Sequence, residues 1–210
     1  MITDQEAVCY AQAIYDPVDQ TAFDFNLMIC GVSVGIKELD DVTIFSFAGS
    51  EKPLDFLRDG YLIPGYHQGV GIVAEGFMVG MHSVFEYLIR YIKYAKSISI
   101  TGHSLGASHA QIFAKMVINA GAKVDSLYLF APPKTGYSEL RDALIEAIST
   151  VKAYRNGKDL IPDFPLGEHW AQFDLIDLNE EPDEMQVDPI RWHMINLYRR
   201  GIEKQQAIYD

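Results

Sequence analysis

The chain has 210 residues, 49% of them hydrophobic and 22% charged, with a formal net charge of −12. That is the length and composition of one ordered domain (residues 1–210) with a sizeable core, which excludes a disordered chain. With no cluster of Lys and Arg, the acidic balance also excludes nucleic acid as a partner and electrostatic docking on an anionic membrane, leaving transient apolar contact with a lipid interface open.

In chain order, Thr3 and Glu6 have the spacing of a capping box. It opens a helix whose Ala7, Val8, Ala11, Ile14 and Tyr15 share a face and which ends near Asp16-Pro17. The start, Met1 to Glu6, lacks the basic and apolar regions of a signal peptide, so a cytoplasmic location is the default expectation, with export by another route left open. No later run is long and apolar enough to span a bilayer. Cys9 and Cys30 are expected to be reduced and structural, a single bridge being the alternative. Residues 28–36 and 41–47 read as two strands joined by the polar turn Lys37-Glu38-Leu39-Asp40. Residues 60–72, punctuated by Gly60, Pro64, Gly65, Gly69 and Gly71, read as an irregular loop. A long helix is predicted over 76–96, from the spacing of Phe77, Met81, Val84, Phe85, Leu88, Ile89 and Ile92.

Residues 96–120 organise the rest. The β-branched run Ser97-Ile98-Ser99-Ile100-Thr101 leads directly into Gly102-His103-Ser104-Leu105-Gly106 and then into a helical pattern. G-x-S-x-G between a strand and a helix is the setting of a nucleophile elbow, with glycines where a side chain would crowd the backbone and a helix N-terminus aimed at an oxyanion beside Ser104. An ordinary glycine turn with a capping serine is the plain alternative. Residues 124–130 form a buried strand ending in Ala131-Pro132-Pro133, a helix carries Leu140, Ala143, Leu144, Ala147 and Ile148, and 150–154 and 173–178 are further strands. Residues 179–188 hold five acids and no base and read as a solvated loop; 190–206 form a last helix that begins near His193. Strands alternating with helices imply an α/β fold, a mostly parallel sheet with helices on both faces.

A serine nucleophile needs a base, and the base an orienting acid, at the carboxyl ends of the strands. Asp125 precedes its strand; Asp159 follows the strand 150–154, with Asp163 as its nearest competitor. Among six histidines, His103 is expected to point away from Ser104, His109 lies within the elbow helix, and His67 and His82 precede the elbow. His169 and His193 both follow Asp159, and His193, after the last predicted strand, is the better placed. Ser104, Asp159 and His193 follow one another as in the α/β-hydrolase fold. The Leu105 N–H is one oxyanion donor; the turn Phe47-Ala48-Gly49-Ser50 offers a second at Ser50, which reads equally well as a turn residue bonding its own backbone. Nothing in the pattern calls for a metal or cofactor.

With these residues assembled, the sequence resembles the class 3 lipases, the family of the filamentous-fungal triacylglycerol lipases. Phe47-Ala48-Gly49-Ser50 is similar to F-R-G-[ST], with Ala48 for arginine; Asp55-Phe56-Leu57-Arg58-Asp59 to D-W-x-x-D; and Val73-Ala74-Glu75-Gly76-Phe77 to V-H-x-G-F, with Ala74 for histidine. Gly102 to Gly106 matches G-H-S-L-G in full, and residues 130–136 resemble F-G-x-P-R-x-G with Ala131 for glycine. Residues 156–162 resemble the family's acid loop, and His193-Met194 with Tyr198 part of H-x-M-x-x-Y. The resemblance implies Ser104 as nucleophile, Asp159 as acid, His193 as base, and Ser50 with Leu105 as oxyanion hole. In that family an amphipathic lid follows the oxyanion turn; here the slot 51–60 holds Leu54, Phe56 and Leu57, which read either as a short lid or as core. The activity implied is hydrolysis of carboxylic esters, the acidic surface favouring neutral lipid esters. Phospholipase A1 and short-chain carboxylesterase share the machinery, and a catalytically silent binding module is the rival of another class.

Overall fold

A computed structural model describes residues 2–15, 22–50, 62–182 and 189–207. Nine strands are described: β1 (Phe25–Ile29), β2 (Val32–Glu38), β3 (Thr43–Phe47), β4 (Pro64–His67), β5 (Gly71–Ala74), β6 (Ile98–His103), β7 (Ser126–Phe130), β8 (Thr150–Arg155) and β9 (Leu175–Asp177). The helices are α1 (Asp4–Ala13), α2 (Glu75–Met78), α3 (Met81–Tyr94), α4 (Leu105–Asn119), α5 (Ser138–Ala147) and α6 (Ile195–Gln206). Seven strands form one sheet in the order β1-β2-β3-β6-β7-β8-β9, antiparallel up to β3 and parallel from β3 to β9. β4 and β5 make a separate hairpin.

Alternating side chains divide the core between the two faces of the sheet, as period two requires. Phe45, Phe47, Leu127 and Leu129 join the cluster built with α3, α4 and α5, whereas Ile44, Tyr128 and Phe130 join the cluster that holds Val8 and Ala11 of α1 and Ile202 of α6. The capping box of α1 forms as expected, with Thr3 Oγ1 accepting from Glu6 N and the Glu6 carboxylate accepting from Thr3 N. Polar bonds then fix α1 to the sheet: Tyr128 donates to the Ile2 carbonyl, Thr101 to Ala7 O and Ser46 to Tyr10 O.

Three predicted elements are corrected. The single strand over 28–36 is a hairpin, because Cys30 and Gly31 both take positive φ (49° and 83°) and turn β1 back on β2. Cys30 is therefore exposed at a turn, Cys9 is half-buried, and both thiols are free. The loop over 60–72 contains most of the β4–β5 hairpin. The helix over 76–96 is broken into α2 and α3 at Gly80, whose φ is 79° and whose added Cβ would lie 2.8 Å from the Cys30 carbonyl oxygen. The acidic stretch is not uniformly solvated either: Glu180 is buried, accepting from Lys204 Nζ at 2.8 Å and Arg200 Nε at 3.3 Å. The slot 51–60, read as a short lid or as core, and the D-W-x-x-D-like segment lie outside the described residues.

His109 of α4 is buried beside the Phe47 ring with no hydrogen-bond partner at Nδ1 among the described residues, and burial pushes its pKa down to about 4. Below the ordinary histidine range the unfolded chain takes up a proton that the folded chain refuses, so stability falls as pH drops from about 6.5 towards 4. His109→Leu is expected to flatten that acid limb by up to about 3 kcal/mol, measured as urea unfolding free energy against pH; His103, also held neutral by burial, leaves a residual slope.

Candidate active site

The carboxyl ends of β3, β6, β7 and β8 meet at the nucleophile elbow. Ser104 takes φ 59° and ψ −129°, a positive-φ conformation that costs a non-glycine residue energy and is held only where the surroundings fix it. Here its N–H donates to the Phe130 carbonyl at 2.9 Å. Both flanking glycines are required by close approach: a Cβ on Gly102 would lie 2.3 Å from the Gly106 carbonyl oxygen, and one on Gly106 would lie 2.1 Å from that of Phe47. Leu105 opens α4, and the first N–H groups of a helix have no acceptor within it.

The acid loop follows β8, where Asn156 and Gly157 turn the chain. Asp159 is wholly buried; its Oδ1 accepts from Ile161 N at 2.9 Å, and its Oδ2 accepts from His193 Nδ1 at 2.7 Å and from the Tyr198 hydroxyl at 2.6 Å. Burial and the neighbouring Asp159 charge push the Tyr198 phenol well above its usual range, so it remains a donor. A carboxylate can only accept, which puts the His193 proton on Nδ1 and leaves Nε2 with its lone pair. That Nε2 is buried without a hydrogen-bond partner among the described residues. The His193 ring lies against His103, the residue before Ser104, with centroids 4.6 Å apart. Asn156 fixes the approach of the two loops, donating to the carbonyls of Trp192 and Glu180 and accepting from Glu180 N.

The turn at the end of β3 packs on the elbow. A Cβ on Gly49 would lie 2.6 Å from the His103 carbonyl oxygen and 2.9 Å from Ser104 Cβ, which sets Ser50 next in chain to a residue touching the nucleophile. Ala48, which stands where the family pattern has arginine, donates its N–H to Ser33 O of β2 at 3.1 Å, so backbone bonding supports the turn. Ala131, standing where the pattern has glycine, takes φ 49° and donates its N–H to Tyr154 O.

The competing candidates lie elsewhere. Asp163 forms a two-pronged pair with Arg155 (3.0 and 2.9 Å), His169 packs beside Tyr137, and His67 pairs with Glu75. His103 packs on the proposed base: its Nε2 bonds the His193 carbonyl. Tyr15 of the N-terminal segment reaches the same place, and no motif pointed to it; only the position of Tyr15 at the sheet-facing end of α1 was legible. No group of three or more His, Cys, Asp or Glu suited to a metal ion occurs among the described residues, and no described helix is long and apolar enough to cross a membrane.

Residues 38–169 match the family model described as Lipase (class 3). The chain belongs to the class 3 lipase family. The matched span includes Ser50, Ser104 and Asp159 and stops before His193, whose assignment rests on the geometry above. Among curated proteins, Phospholipase A1-II 1 of rice (Oryza sativa, in both the indica and the japonica subspecies) is 32% identical over 118 residues, covering 53% of this chain and 30% of the rice protein. The chain thus spans under a third of the length of these curated relatives. Among solved structures, a mutant form of MDLA from Penicillium cyclopium has a TM-score of 0.71 at 17% identity, covering 86% of this chain and 80% of the other. The Rhizomucor miehei triacylglyceride lipase has a TM-score of 0.60 at 16% identity, covering 77% and 72%. These two likenesses establish the fold.

Two substitutions test the site's construction. Gly106→Ala drives a methyl group into the Phe47 carbonyl and is expected to destabilise the chain by about 3 kcal/mol or more. Tyr198→Phe removes one donor from Asp159 and the acceptor of Asn156 N, with an expected cost of about 1–3 kcal/mol. Urea unfolding midpoints measure both.

Proposed function

We propose that this class 3 lipase family member is a serine hydrolase of carboxylic esters in lipids, with Ser104 as nucleophile, His193 as base and Asp159 as orienting acid. The observation that carries the reading is the buried Asp159–His193 bond, which leaves an unpartnered nitrogen, among the described residues, on a ring packed against the residue that precedes the elbow serine. As His193 Nε2 takes the hydroxyl proton, Ser104 Oγ attacks the ester carbonyl carbon. The oxygen of the tetrahedral intermediate, now negative, accepts from the N–H groups of Leu105 and Ser50, at the positive end of α4. Collapse breaks the bond to the alcohol, which leaves with the proton from His193. Water, deprotonated by the same nitrogen, then attacks the acyl-serine, and collapse breaks the bond to Ser104 Oγ, which takes back the proton from His193 as the acid leaves. The unbonded Ser104–His193 pair suits a free enzyme, whose catalytic hydrogen bonds tighten when substrate is bound.

Between substrates, the rice relatives favour a phospholipid acyl ester over the neutral ester that the acidic surface suggested. The charge argument bears on anionic headgroups; a zwitterionic phospholipid has no net charge for a chain of −12 to repel. Fatty acid release from vesicles of zwitterionic phospholipid should therefore exceed release from a triacylglycerol emulsion and from a soluble short-chain ester. The opposite ranking overturns the phospholipid assignment. Ser104→Ala is expected to lower kcat about 10⁶-fold and to abolish labelling by a fluorophosphonate probe. An unlabelled wild-type chain would instead indicate the silent binding module.

A further inference from the structure

The proposed triad leaves unexplained a line of buried and part-buried polar groups that ends on the backbone of His193. The Gly49 N–H donates to the Tyr15 hydroxyl oxygen at 2.8 Å. That hydroxyl lies 2.9 Å from His103 Nδ1, and His103 Nε2 lies 2.9 Å from the His193 carbonyl oxygen. The polarity of the line follows from what each atom is able to do. A carbonyl only accepts, so His103 Nε2 carries the ring proton; Nδ1 is then an acceptor, and Tyr15 donates to it. Burial raises the Tyr15 phenol above its usual range and pushes His103 well below its own, so both groups stay neutral in the form this pattern needs. Every bond in the line points the same way, from the turn beside the nucleophile to the backbone of the base, an arrangement in which each bond polarises the next.

We infer that Tyr15 and His103 are positioning residues that hold the oxyanion turn and the catalytic histidine in register with one another. Tyr15 fixes the Gly49 amide, next to the donor at Ser50, and His103 fixes the main chain of His193 while its ring lies 4.6 Å from the His193 ring. The inference rests on the hydrolase reading. Neither residue touches substrate; they act through Gly49 and His193. The line also gives the N-terminal segment a place in the reaction, since Tyr15 follows α1, on which no residue of the triad lies.

The test uses the full chain and a soluble nitrophenyl ester. Tyr15→Phe and His103→Gln, which keeps an N–H for the His193 carbonyl but offers no acceptor at the Nδ1 position, are each expected to lower kcat about 10–100-fold, short of the loss on removing an oxyanion donor outright, with KM changed by less than about twofold. In the double variant the losses should fall well short of their product, because the two groups belong to one line. Unchanged kcat in either single variant, or losses that multiply independently, overturn the inference. A readout independent of turnover is the low-field ring N–H signal of His193 Nδ1 in the proton spectrum. Tyr15→Phe should shift or broaden it, and an unaltered signal also overturns the inference. A wild-type chain that neither turns over ester nor labels at Ser104 would remove the hydrolase reading alone, and the spectrum would still decide the line.

Discussion

The structure depends on one close approach, that of the elbow helix to the end of β3. Parallel pairing brings Phe47 opposite Gly102, and the chain then turns so sharply that Gly106 lies where any side chain would strike the Phe47 carbonyl. This contact fixes the nucleophile, the start of α4 and the turn leading to Ser50 relative to each other, before any base or acid is added. The elbow is therefore a property of two adjacent strands and of two missing Cβ atoms, and Ser104 is carried by it.

The parallel half of the sheet was legible because each strand there is a short apolar run bounded by turn residues, and each helix has one apolar stripe. The elements that escaped are those whose turns lie inside an apolar run. Cys30-Gly31 interrupts 28–36 without a change in polarity, so a hairpin read as one strand; Gly80 breaks a helix whose stripe continues across it. The glycines of 60–72 were read as marking an irregular loop, whereas Gly69 and Gly71 supply the positive φ of the β4–β5 turn. For the site, chain order and strand ends picked out Asp159 and His193, and the structure brings these two into a direct bond. The bond of His103 to the His193 backbone was not legible, because it depends on where the last loop passes and not on adjacency in sequence. Tyr15 was beyond reach, since its partners at 49 and 103 are joined to it only by the packing of α1 on the sheet.

The catalytic edge of the sheet is built as a staircase. Ser104 at the end of β6 gives its N–H to Phe130 O at the end of β7, Ala131 gives its own to Tyr154 O near the end of β8, and Leu178, just past β9, gives its N–H to Arg155 O. The first two donors have positive φ. Positive φ at consecutive strand ends is costly for residues with a side chain, on the order of 1–3 kcal/mol each, and both residues extend the parallel ladder by one further bond to the next strand before the chain turns away.

The same logic accounts for why the acid and base sit on loops while the nucleophile sits on the scaffold. Asp159 and His193 have no strand beneath them; they are placed by bonds to one another and to Asn156, Ile161 and Tyr198, nearly all of them buried. A buried carboxylate without donors would be costly, so the three hydrogen bonds on Asp159 are a condition of its being there at all. Once they are made, its oxygens are directed and the imidazole has one tautomer available. Rigidity at the base thus follows from satisfying a buried charge, and a loop, given enough donors, positions a ring as firmly as a strand does.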